Sequence, residues 1–309
     1  MTSATVPARI ARRRRAERST RSAVSDVEWR RPRVRRFWRG VHVGLLVLLV
    51  VWCIGPLLLL MKFAVTPTQD ILSTPLAVFP HGMAWDNLSA AWNDVHVSRY
   101  FINSVILAAG SWVAQIVVAT SAAYVLSVLR PAWAKYLNAG ILITLFVPAV
   151  VLLVPLYLVI VNPPLIGTSL VDTYWGVWLP AGASAFNVVI VTRFFDNLPR
   201  EVFEAARVDG AGPFRLFWSV VLPMSKPILG VVSVFAVIAS WKDFLWPLLV
   251  LHNPNLQPLS VRLPSLQATT DMGVLMAALA IATLLPVVMF LIFQKTFLSG
   301  VGLGGAVKG

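Results

Sequence analysis

Residues Glu204–Pro223 read EAARVDGAGPFRLFWSVVLP, a polar, glycine-broken stretch set between two long apolar runs. Just ahead of it, Pro199 suits the first turn of a helix, where its missing N–H would be unpaired in any case, and Glu201 and Glu204 complement the positive end of that helix. Ala205 and Ala206 are small enough to let another surface come close to the backbone. Gly210 falls where the helix should stop, and Gly212 with Pro213 restarts the chain in a new direction. Beyond the turn, Phe214, Phe217, Trp218 and Val221 recur at the spacing of one helix face. The stretch predicts a short helix, a sharp turn and a second, amphipathic helix closed by Leu222 and Pro223. Such a knob puts one apolar face on the protein's own spans and leaves a small-residue face free; an interfacial loop lying on lipid headgroups fits the same residues.

The runs on either side fix the class. Of 309 residues, 58% are hydrophobic and 13% charged, a balance that excludes a soluble fold with an ordinary polar surface. Six apolar windows, near residues 41–61, 101–129, 137–161, 173–195, 228–251 and 272–293, are long enough to cross the hydrocarbon as helices. A transmembrane β-barrel would alternate apolar and polar residues in segments of about ten, and the sequence nowhere does so. The expectation is an all-α polytopic membrane protein. It divides into a disordered basic tail over 1–36, a six-span domain over 37–297 with the knob at about 199–223, and a C-terminal tail over 298–309.

The net charge of +13 and the run Arg12–Arg15 invite a nucleic-acid reading, which position argues against. Thirteen of the 26 Lys and Arg residues precede Val41, where positive charge holds a segment in the cytoplasm and suits anionic lipid. The segments 64–98, 162–172 and 252–271 together hold one basic residue, Arg262, whereas the alternate loops carry Arg130, Lys135, Arg193, Arg200, Arg207, Arg215 and Lys226. Both termini and the knob are therefore expected in the cytoplasm. Cys53 lies alone inside the first span, so it forms no intramolecular disulfide. In the outer segment 64–98, WDNLSAAW predicts a short amphipathic helix. The sequence has no phosphate-cradling GxxxxGK[ST], no HExxH and no clustered histidines, so energised work would need its nucleotide chemistry in another chain.

The knob carries a pattern. Glu204-Ala205-Ala206, three residues, Gly210, nine residues and then Val-Val-Leu-Pro closely resembles the EAA signature of permease subunits of ATP-driven ABC importers. In that family the helix pair is a coupling helix seated in a cleft of the ATPase subunit. The resemblance implies that Ala205, Ala206 and Gly210 permit a tight dock, that Glu204 and Asp209 supply polar contacts at its rim, and that Pro223 closes the motif. FINSVILA from Phe101, PLYLVI from Pro155, LVDTYWGVWLP from Leu170, WKDFLWPLLVL from Trp241 and the ending LSGVGLGGAVKG are similar to the smaller, six-span partner of maltose-transporter-type carbohydrate permeases. The resemblance implies a second, related permease subunit, a cytoplasmic ATPase dimer holding ATP and magnesium, an extracytoplasmic solute-binding protein, and no cofactor in this chain. It places the protein in a bacterial cell membrane and gives Gly304, Gly305, Lys308 and Gly309 a contact with the ATPase, where a frayed terminus is the plainer reading.

One departure bears on the path. Where these permeases usually have Trp-Asn-Asp in the fifth span, this chain has Trp241, Lys242 and Asp243. A lysine near the middle of a bilayer costs about 2.5–3.5 kcal/mol on insertion scales, so it snorkels outward or faces a wet path. Either Lys242 or Asp243 is a candidate for sugar hydroxyls, but not both, because neighbours in a helix face different ways. Trp241 and Trp246 are candidates for stacking on a pyranose or for the interface. Asn187, Gln115 and Asn103 are secondary candidates, with interhelical hydrogen bonding the commoner use of such groups. A permease of the same superfamily for another solute such as a polyamine would keep the knob. An ion-coupled transporter would need paired intramembrane acids, which are scarce here.

Overall fold

The structure, a computed structural model, describes residues 32–75, 77, 81–164 and 166–302, with side chains up to residue 292. Contacts divide the chain after Leu60 into two units, each described by itself. The first is formed by most of α1 (Pro32–Ala64), a 33-residue helix with a mean hydropathy of 2.8 over its most apolar window. Within the described residues it is already helical at Pro32, ahead of the expected boundary at residue 37. No strand occurs among the described residues.

The second unit begins with two short helices, α2 (Thr68–Ser73) and α3 (Asp86–Asn93). The latter is the helix predicted from WDNLSAAW. It packs on the last helix of the chain, and its Asn87 donates to the Thr66 carbonyl (3.1 Å). Next comes α4 (Val97–Ala123), extended by a π-turn, Tyr124–Leu129. It is the axis of the unit, and the helices of the fourth and fifth apolar runs pack along it. Apolar burial gives little net drive inside lipid, so packing there depends on close approach of small residues. Ala108, Ala119, Ala123, Ala277, Ala278 and Ala280 are all buried.

Three of the six expected spans are not straight rods. The third is α5 (Ala134–Thr144) followed, after a break at Pro148 and a 3₁₀ turn, by α6 (Leu153–Val161), and the halves meet at 105°. The fourth is α7 (Trp175–Gly182) and α8 (Ala185–Asp196), bent by 42° after Pro180 and Gly182. The fifth differs most from expectation. A continuous span over 228–251 was predicted; instead α12 (Lys226–Lys242) stops, Asp243 is extended, and α13 (Leu245–Val250) follows. Pro247 explains the break. It has no N–H for the carbonyl four residues back, and its ring would clash with that carbonyl, which belongs to Asp243. That oxygen accepts from the Ser260 hydroxyl instead (2.6 Å).

Between α8 and α12 lie α9 (Arg200–Val208), α10 (Pro213–Leu216), a π-turn Phe217–Val221 and α11 (Leu222–Met224), turned 79° from α12. At the opposite end are α14 (Leu259–Leu266) and the start of α15 (Met272–Gly302), a helix that runs past the expected span end at 293 and the expected domain end at 297. Arg99 belongs to that opposite end too, since its guanidinium donates to Asn255, so positive charge there is not confined to Arg262.

Candidate functional site: an exposed helix pair and a cavity at three helix breaks

The helix pair is built as its residues dictate. α9 ends in a full Schellman closure: the Ala211 N–H donates to the Ala206 carbonyl (2.9 Å) and the Gly210 N–H to Arg207 (3.0 Å), with Gly210 at φ 79°. Gly212 is extended and Pro213 opens α10. Phe203 turns inward from α9, and Leu216 and Val221 are fully buried with Phe195 in the core at this end. The Tyr124 hydroxyl donates to the Pro213 carbonyl (2.8 Å) and its ring lies 5.0 Å from that of Phe217, which fastens the pair to the end of α4.

Two expectations about its faces change. Phe214 and Trp218 are 76% and 56% exposed, so the apolar face turned to the spans is Leu216, Phe217, Val220 and Val221. Leu216, Phe217, Val220 and Val221 also recur at helical spacing, so the stripe turned to the spans is shifted around the helix from the predicted one. On α9, Glu204, Ala205, Asp209 and Gly210 are exposed, as is Pro223, whereas Ala206 is half-buried and packs on the core. Val208 is 87% exposed at the tip and was not singled out from the sequence.

Beneath the pair, Asp196 holds the turn that ends the π-extension of α4. One carboxylate oxygen accepts from the Ser127 hydroxyl and from Arg130 Nη2, each at 2.8 Å, while Arg130 Nε donates to the Ser127 carbonyl. Arg130 itself sits at φ 49°, an unusual conformation for a residue with a side chain, so the ion pair offsets local strain. Asp196→Ala is expected to destabilise the folded chain by about 1–2 kcal/mol, the size of charge-assisted hydrogen bonds at a half-exposed site. Thermal unfolding in detergent checks this, and Asp196→Asn should recover part of the loss.

The second feature is a cavity of about 700 Å³. Its walls come from all three broken spans: Ala149 and Leu152 at the first break, Ala183 and Ser184 at the second, Asp243 and Trp246 at the third. Ser111 and Gln115, one helical turn apart on α4, complete it. Non-helical backbone at membrane depth is tolerated only where protein buries it or where it lines a wet space, and the three breaks cluster around this one cavity.

The sequence candidates separate here. Asp243 and Trp246 line the cavity; Trp246 is buried and donates its indole N–H to Gly176 (3.1 Å). Lys242 is exposed and outside the lining. Trp241 packs instead, donating to Ala282 (3.2 Å) and meeting Phe101 edge to face at 5.5 Å. Gln115 lines the cavity and accepts from Asn187, which stands behind it (2.6 Å). Asn103 is consumed by Asn255, Gln257 and Tyr174. Gly304, Gly305, Lys308 and Gly309 lie outside the described residues, as does the tail up to residue 31. Sequence reasoning missed Ser111, Ser184 and Ser240; the prolines at 148, 180 and 247, one in each of three apolar runs, were the signal that could have found the breaks around them.

A polytopic α-helical chain with a helix pair exposed at one end and broken spans around a cavity defines a membrane permease. A model of the family described as "Binding-protein-dependent transport system inner membrane component" matches residues 115–302, and the chain belongs to that family. It is 31% identical over 278 residues to the sn-glycerol-3-phosphate transport system permease protein UgpE of Yersinia pestis, covering 85% of this chain and 96% of the relative. It is 30% identical over 276 residues to the diacetylchitobiose uptake system permease protein NgcG of Streptomyces coelicolor, covering 87% and 89%. A chain of a bacterial ABC transporter involved in import of the acidic polysaccharide alginate shares the fold, with a TM-score of 0.76 at 19% identity over 86% of this chain and 98% of that one. The chain is thus a permease subunit of an ABC importer, a transport component of the bacterial inner membrane, and the ion-coupled alternative is set aside.

Proposed function

We propose that the chain forms one half of a heterodimeric translocation path for a sugar or oligosaccharide, in an importer driven by a separate ATPase dimer and supplied by an extracytoplasmic binding protein. Six spans, three of them broken, and cytoplasmic termini complete the proposed topology. The observation that carries the reading is the exposed, Schellman-closed α9, with Glu204, Ala205, Asp209 and Gly210 free at its surface while Phe203, Leu216 and Val221 anchor it to the spans. A rigid knob with a buried root transmits a push; a loop on lipid would not need one. Relatives named for sn-glycerol-3-phosphate and diacetylchitobiose uptake support the substrate class. In the proposed cycle, ATP closes the ATPase dimer, the knob at Glu204–Pro223 follows, and the spans rock from inward-facing to outward-facing; hydrolysis resets them. The C-terminal residues Gly304, Gly305, Lys308 and Gly309 are assigned to the same ATPase contact.

The test is purification of the intact complex from its native membrane. An ATPase, a second permease subunit and ATP-dependent uptake of a carbohydrate into vesicles are expected together. Uptake that followed a proton gradient and ignored ATP depletion would reject the reading.

A further inference from the structure

We infer that the cavity at the three helix breaks accepts a neutral, hydroxyl-rich glycan and turns away anionic sugars such as phosphorylated or uronate ones; this rests on the sugar-importer reading above. The family does not decide the point. Its relatives include one named for sn-glycerol-3-phosphate and one for diacetylchitobiose, and the chain of similar fold belongs to an importer of an acidic polysaccharide. The lining of this chain does decide it.

Among the described residues no Lys, Arg or His lines the cavity, and the one charged side chain among them is a carboxylate, Asp243. Lys242, the neighbouring cation that could have served an anion, is exposed and outside the lining. An anion taken from water into so apolar a space needs a positive partner, and here it would meet a like charge. A hydroxylated ligand meets the opposite situation. Its O–H groups can donate to Asp243, while the polar groups around it are short of partners. The Ser111 hydroxyl is buried and has no hydrogen bond among the described residues. Gln115 engages Asn187 through its oxygen, which leaves its amide N–H groups uncommitted among the described residues. Ser184 takes only a long bond, 3.4 Å, from the Asn187 N–H.

The apolar remainder suits the other side of a sugar. Trp246 has spent its N–H on Gly176, so what it offers a ligand is its ring, and Leu152, Leu156, Val159 and Val177 extend that surface for pyranose C–H groups. A volume of about 700 Å³ falls within the range of small-molecule sites.

The experiment uses the intact importer with its own binding protein in proteoliposomes. The vesicles are offered a mixture of neutral oligosaccharides including diacetylchitobiose, sn-glycerol-3-phosphate, uronate oligosaccharides from alginate, and spermidine, and imported solutes are identified by mass spectrometry. The expected result is a neutral glycan imported at least tenfold over either anion. In Asp243→Asn that ratio should narrow threefold or more; if this variant fails to assemble, Ser240→Lys, which places an ammonium one turn before Asp243, should narrow it likewise. Preference for the neutral glycan of less than tenfold, or a ratio that the assembled variant leaves unchanged, overturns the inference and leaves the sugar-importer reading standing. Import of spermidine alone, or of nothing offered, overturns that reading as well.

Discussion

Gly210→Val is expected to leave the chain folded in the membrane and to reduce ATP-driven uptake by tenfold or more, with loss of the copurifying ATPase. Gly210 has φ 79°, and a Cβ built on it would meet nothing within 4 Å, so the effect is one of backbone conformation and not of a clash inside this chain. A residue with a side chain resists that region by about 1–2 kcal/mol, and a β-branched one resists it more. The closure of α9 depends on it, because the bonds from Gly210 to Arg207 and from Ala211 to Ala206 exist only if the chain reverses there. Losing them frees the last turn of α9, which carries Asp209 and the exposed Val208, while Phe203 and Leu216 keep the root in place. The variant should therefore fold and insert but fail to dock. Gly212 supplies the control: it is equally open, and its φ of −66° suits any residue, so Gly212→Ala should transport nearly as well as the wild type. Equal activity of Gly210→Val and Gly212→Ala, measured as uptake per assembled complex, would refute a docking role for this turn.

The contrast between these two glycines was legible in the sequence, and the geometry of the cavity was not. Gly210 follows a run of helix formers and precedes Gly212-Pro213, so a left-handed helix end is a local event that local residues specify. The small residues of the motif, Ala205 and Ala206, were equally readable. The cavity depends instead on where three separate helices fail. Hydropathy registers Pro148, Pro180 and Pro247 only as members of apolar runs, and a window average over 228–251 passes smoothly across a break that Pro247 forces at Asp243. The assignment of Lys242 and Asp243 turned on that break. Chain direction changes at Asp243, so the lysine ends one helix at the surface while the acid faces the gap. The inward face of the second helix of the pair escaped for another reason: Phe214, Phe217, Trp218 and Val221 and the stripe Leu216, Phe217, Val220 and Val221 both recur at helical spacing, and composition does not choose between them. Phe214 and Trp218 were accordingly assigned to the buried face, and Leu216 occupies it.

The packing of α4 on α7 carries the largest stability prediction. A Cβ at Gly110 would lie 2.1 Å from Cε2 and 2.3 Å from Nε1 of Trp178, far inside contact distance. The indole has little freedom to withdraw, because Tyr174 and Trp175 flank it at ring separations of 5.7 and 5.1 Å. Gly110→Ala should therefore force the two helices apart and destabilise the chain by about 3 kcal/mol, at the upper end of overpacking effects. Since α7 also leads into the second helix break, the cavity would open with it, and transport should fall together with the unfolding temperature in detergent. A merely helix-favouring view predicts the reverse, because alanine is the better helix former by about 1 kcal/mol. Trp178→Phe separates the two accounts. The Trp178 N–H is buried without a hydrogen-bond partner among the described residues, so phenylalanine gives up no bond to them and removes an atom that the new methyl would strike. The double variant should be more stable than Gly110→Ala alone, with a coupling of about 1–2 kcal/mol in a double-mutant cycle. Additive effects would mean that these helices do not meet at Gly110, and the placement of α7 beside α4, with the cavity wall that depends on it, would have to be abandoned.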